Sequence, residues 1–220
     1  MSDPHASQKL FLSGSLGRLE AILWTPYHPR IPLLAAVICH PHPSFGGTMH
    51  NKVVYQAAKS LDTLGVPVLR FNFRGAGLSA GTHDKGRGEQ RDVQVALDFL
   101  AAEFPQTRLL LAGFSFGSWV GLRTGCADSR VTDLIGLGIP VNNWDFTYLS
   151  ACTKAKLFVH GANDEHGARH KVQELVAMFP GENNLIIIDG ADHFFTSQLP
   201  QLDRAITGWV VQRHPELARR

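Results

Sequence analysis

A serine stands between two glycines in Gly113-Phe114-Ser115-Phe116-Gly117. The apolar run Leu109 to Ala112 precedes it, and Trp119, Val120 and Leu122 follow at helical spacing. A serine at such a strand-to-helix turn can act as a nucleophile. Flanking glycines leave room for the close approach of strand and helix, and the first helical N–H groups offer positive potential to an oxyanion. A hydroxyl is a weak nucleophile without a base. His193 lies a short turn beyond the apolar run Leu185–Ile188, and Asp164 follows Lys156–His160. Ser115 is therefore the candidate nucleophile, His193 the candidate general base and acid, and Asp164 the carboxylate that would orient the imidazole. Glu165 and Asp192 compete for that last place. Glu165 sits one residue further along, where it would cap the next helix, and Asp192 would point away from its neighbour His193 in an extended loop.

These residues need a scaffold, and the alternation of the chain predicts one. Lys9–Ser13 and Leu19–Trp24 read as an antiparallel hairpin closed by Ser15-Leu16-Gly17. After the Pro26–Pro32 connection, the continuously apolar run from Leu34 to Cys39 reads as a strand buried on both faces. Strands follow at Val66–Phe71, Arg108–Ala112, Leu134–Ile139, Lys156–His160 and Leu185–Ile188. Helices are predicted at Val53–Leu64, Val93–Phe104, from the serine turn to Leu122, at Lys171–Met178 and at Leu199–Val211. Such alternation gives an α/β fold: a doubly wound, mostly parallel sheet with helices on both faces, within one domain over residues 1–220. Ligands bind such sheets at the carboxyl ends of the strands.

One further loop leaves such a strand end, His40-Pro41-His42-Pro43-Ser44-Phe45-Gly46-Gly47. Two histidines one residue apart suggest a metal pair, but no third ligand accompanies them at recognisable spacing, so no metal is expected. A loop at this place supplies one oxyanion N–H in hydrolases of this architecture. Pro43 has no N–H, which leaves the backbone N–H of His42, with that of Phe116 as its partner. Phe114, Trp144 and Phe194 fall on or beside these loops and are expected to line a substrate pocket.

With the serine turn, the acid loop, the histidine loop and His-Pro-His-Pro in this order, the chain resembles the α/β-hydrolase superfamily. It is most similar to small serine esterase-like members related to dienelactone hydrolases. The likeness runs from Gly14 to Trp209, and its local marks are His40–Pro43, Gly46-Gly47 with Met49, Asn51 and Lys52, and Phe73–Ser79. The resemblance implies a Ser–Asp–His triad at Ser115, Asp164 and His193 and no cofactor. Dienelactone hydrolases proper carry cysteine where this chain has Ser115, which favours a general serine esterase. About fifteen residues separate Pro140 from Lys156, too few for a lid domain.

Composition narrows the partners. The chain has 220 residues, a net charge of +2 and 18% charged residues, which gives no reason to expect nucleic acid. Its opening, Met1-Ser2-Asp3-Pro4-His5, lacks a cationic start ahead of an apolar run, so no export signal is expected. The longest apolar run is too short for a bilayer. Cys39, Cys126 and Cys152 are an odd set without paired spacing, as suits free thiols in a cytoplasmic protein. The expected partner is a small carboxylic ester, short-chain or aromatic, bound by a monomer or weak homodimer. A thioesterase or peptidase with the same triad, or a non-catalytic ligand-binding scaffold, are the alternatives.

Overall fold

The computed structural model describes residues 5–27 and 31–219. The opening residues Met1–Pro4, part of the Pro26–Pro32 connection and Arg220 lie outside the described residues. The chain runs β1 (His5–Gly14), β2 (Gly17–Pro26), β3 (Leu34–Cys39), α1 (Lys52–Asp62), β4 (Val68–Phe71), α2 (Arg87–Glu103), β5 (Arg108–Phe114), α3 (Phe116–Ala127), β6 (Val131–Leu137), β7 (Ala155–Gly161), α4 (Arg169–Ala177), β8 (Asn183–Ile188) and α5 (Leu199–Arg213). One eight-stranded sheet takes the order β1-β2-β4-β3-β5-β6-β7-β8. The β1–β2 hairpin is antiparallel, β2 joins β4 antiparallel, and every later pairing is parallel.

The period of two along β3 shows how the core divides. Leu34, Ala36 and Ile38 face a layer containing Val53, Leu61, Leu202 and Trp209 from α1 and α5. Ala35, Val37 and Cys39 face the opposite layer, with Val93 and Leu97 from α2, Val120 from α3 and Val172 from α4. A strand sandwiched this way has no polar face, hence the unbroken apolar run.

Several elements differ in extent from their sequence reading, β1 starting at His5 and α3 running on to Ala127 among them, and in two the start is displaced for a clear physical reason. Strand β6 spans Val131–Leu137 rather than Leu134–Ile139 because a buried charge hides its start. Asp133 is wholly buried yet accepts hydrogen bonds from Thr132 Oγ1 at 2.6 Å, Arg213 Nε at 3.2 Å and His214 Nε2 at 3.2 Å. Helix α2 begins at Arg87, six residues before the expected Val93, on a polar stretch that carries no apolar periodicity. The segment between β6 and β7 holds a short 3₁₀ turn, Thr147–Ala151, and no inserted domain. Among the described residues no helix is long and apolar enough to cross a membrane.

Candidate active site

Strand β5 runs two residues beyond its expected end and delivers Ser115 between Phe114 and the first turn of α3. The turn is sharp: Ser115 has φ 54° and ψ −122°, and its N–H donates to Leu137 O at 3.0 Å. A Cβ at Gly113 would lie 2.3 Å from Gly117 O, and one at Gly117 would lie 2.4 Å from Cys39 O. Side chains at either place would push strand and helix apart, which explains both glycines.

Ser115 Oγ lies 2.9 Å from His193 Nε2, and His193 Nδ1 lies 2.8 Å from Asp164 Oδ2. The structure thus joins the three residues in one hydrogen-bonded line, with the hydroxyl donating to Nε2 and Nδ1–H donating to the carboxylate. Asp164 Oδ1 accepts the His166 N–H at 2.8 Å, so both carboxylate oxygens are held. Behind the line, the buried ring of His160 donates from Nε2 to Gly167 O at 2.6 Å, and burial lowers its pKa. The competing carboxylates lie elsewhere. Asp192 accepts the Thr196 N–H at 2.8 Å, and the Glu165 side chain is exposed. Glu165 does not cap α4: the N-cap is Ala168, with no side-chain cap bond.

The two loop histidines do separate work. His40 is buried, donates from Nδ1 to Pro41 O at 2.6 Å and accepts the Phe73 N–H on Nε2 at 2.9 Å. With both nitrogens occupied it ties this loop to the one after β4, and burial lowers its pKa to about 4. His42 accepts the Ser44 N–H on Nδ1. Among the described residues, neither the His42 N–H nor that of Phe116, the first residue of α3, has a hydrogen-bond acceptor. Their rings touch, with centroids 4.8 Å apart.

A cleft of about 420 Å³ opens above Ser115 and His193, walled by His42, Phe45, Asn143, Trp144, His166 and Phe194. Trp144 and Phe194 are placed on its walls. Phe114 is not: it is wholly buried and packs behind His193, its ring 5.0 Å away, because the last residue of β5 points into the core. His166 went unread in the sequence. Its ring stands edge-on to His193 at 4.4 Å, a contact between two loops that no local spacing announces.

Fold and site together define the class. Residues 35–202 match the α/β hydrolase domain family, so the chain belongs to that family and stands among the hydrolases. It is 35% identical to XC6422 of Xanthomonas campestris, an α/β serine hydrolase without a lid, with a TM-score of 0.86 over 94% of each chain. An α/β serine hydrolase homologue from Coxiella burnetii is 33% identical, with a TM-score of 0.85 over 92% of this chain and 97% of that one. The uncharacterized protein RP471 of Rickettsia prowazekii is 34% identical over 212 residues, 92% of this chain and 88% of that one.

Proposed function

We propose that this chain is a serine esterase that cleaves short-chain or small aromatic carboxylic esters through an acyl-enzyme. The single observation behind it is the unbroken line from Ser115 Oγ through His193 to Asp164, at 2.9 and 2.8 Å. Distances of this order let a proton leave the hydroxyl as the oxygen attacks. Ser115 attacks the ester carbonyl while its proton passes to His193 Nε2, and Asp164 stabilises the resulting imidazolium. The N–H groups of His42 and Phe116, free of protein acceptors among the described residues, receive the oxyanion. His193 returns the proton to the departing alcohol, and water then attacks the acyl-enzyme by the same route. The aromatic walls supplied by Trp144 and Phe194 favour small apolar or aromatic acyl groups.

Hydrolysis of p-nitrophenyl acetate tests this. Wild type should turn it over, and Ser115→Ala should lower kcat by roughly 10³-fold or more while melting normally. Full activity in Ser115→Ala would sink the proposal.

A further inference from the structure

The two proposed oxyanion donors come from different stretches of chain, the loop after β3 and the start of α3. Nothing covalent nearby fixes their separation, so contacts between the stretches must. A donor displaced by about 1 Å leaves the 2.7–3.1 Å range in which it stabilises the transition state.

His83 touches both. Its ring centroid lies 4.5 Å from that of His42 and 5.4 Å from that of Phe116, and the latter two are 4.8 Å apart. The three rings close a triangle. His83 also packs against a buried charge: its Nδ1 lies 2.8 Å from Oε1 of Glu89, a wholly buried residue of α2, at an angle that makes no hydrogen bond. The same carboxylate accepts the Asp84 N–H on Oε1 and the Gly86 N–H on Oε2, each at 2.8 Å. It thereby holds a loop in which Lys85 (φ 51°) and Gly86 (φ 91°) are both left-handed. Burying a carboxylate and straining a loop both cost free energy, and neither enlarges the apolar core.

We infer that His83, packed against Glu89 and both rings, is a positioning residue that keeps the two oxyanion donors, His42 and Phe116, at their working separation. The inference rests on the esterase reading. Burial and the neighbouring His83 both lower the His42 pKa, in keeping with two imidazoles in close contact.

The test compares His83→Ala and His83→Phe on p-nitrophenyl acetate, beside thermal melts. His83→Ala should lower kcat by about 10- to 100-fold, less than outright loss of a donor, with KM within about twofold. It should weaken a trifluoromethyl ketone, whose hemiketal oxygen occupies the hole, by the same factor, and leave inhibition by acetate unchanged. His83→Phe keeps a ring against both neighbours and should recover most of kcat. An unchanged kcat in His83→Ala, a loss confined to KM, or a His83→Phe no better than His83→Ala overturns the inference. These failures are distinct from failure of the esterase reading, which would show as no labelling of wild-type Ser115 by a fluorophosphonate.

Discussion

His193 Nδ1 donates to Asp164 Oδ2 at 2.8 Å across two strand-end loops, and the remaining Asp164 oxygen is taken by the His166 N–H. The carboxylate therefore has one orientation open to it. Asp164→Asn would keep that shape but favour the wrong tautomer of His193, and kcat should fall by about 10⁴-fold. Glu165→Gln and Asp192→Asn, whose carboxylates form no hydrogen bond or ion pair with His193 among the described residues, should stay within about threefold of wild type. Steady-state kinetics of the three variants decide it. A loss in Asp192→Asn as large as in Asp164→Asn would reassign the acid.

The close approach beneath Ser115 predicts opposite outcomes for two glycine substitutions. In Gly117→Ala the new methyl would meet Cys39 O at 2.4 Å and His40 O at 2.5 Å, backbone atoms that cannot step aside. Stability should fall by about 1–3 kcal/mol or more. Among the described residues, nothing beyond its own helix lies within 4 Å of the place a Cβ at Gly208, inside α5, would take, and Gly208→Ala should gain about 0.5–1 kcal/mol from helix propensity. Urea midpoints would show both signs.

Burial of His40 makes stability depend on pH. Its folded pKa is lowered to about 4, against roughly 6.5 in the unfolded chain. Between those values the unfolded state takes up a proton that the folded state refuses. Stability should fall as pH drops from about 6.5 to 4, by up to about 3 kcal/mol from this residue, and then level. His160, also lowered by burial, acts in the same direction. Urea unfolding at pH 7 and 4.5 should give a smaller drop for His40→Gln than for wild type; equal drops would contradict the assignment.

At the far end of β6 from the site, Asp133 holds Arg213 and His214. Asp133→Ala would strand a buried histidine and should cost about 3 kcal/mol. Because the cluster sits near the start of β6, away from the strand ends that carry the cleft, kcat measured below the melting transition should be unchanged. A melt unshifted by the substitution would show that the cluster adds nothing to stability.

Much of this was legible because it is local. Strand β3 shows itself in six apolar residues, and the two glycines around Ser115 report a close approach in their own spacing. Asp164 and His193 could be picked out because the fold presents strand ends on one edge, and each follows a strand. What could not be read depends on partners distant in sequence. Asp133 looks like a loop residue until Arg213 and His214 arrive from 80 and 81 residues away. The polar first turn of α2 makes sense only through Glu89 and the loop it holds, and His166 and His83 matter through ring contacts between loops. Phe114 turns on the length of β5: the strand continues two residues past Ala112, so Phe114 takes the same core-facing side as Leu110 and Ala112 instead of a loop position beside the cleft.

The backbone at Ser115, with φ 54° on a residue that carries a side chain, costs roughly 1–3 kcal/mol relative to a relaxed conformation. Glycine would occupy the same place without that strain. Selection for heat resistance and selection for turnover therefore pull in opposite directions at this one position. A library screened only for survival at high temperature should enrich Ser115→Gly and, with it, proteins that fold well and do no chemistry.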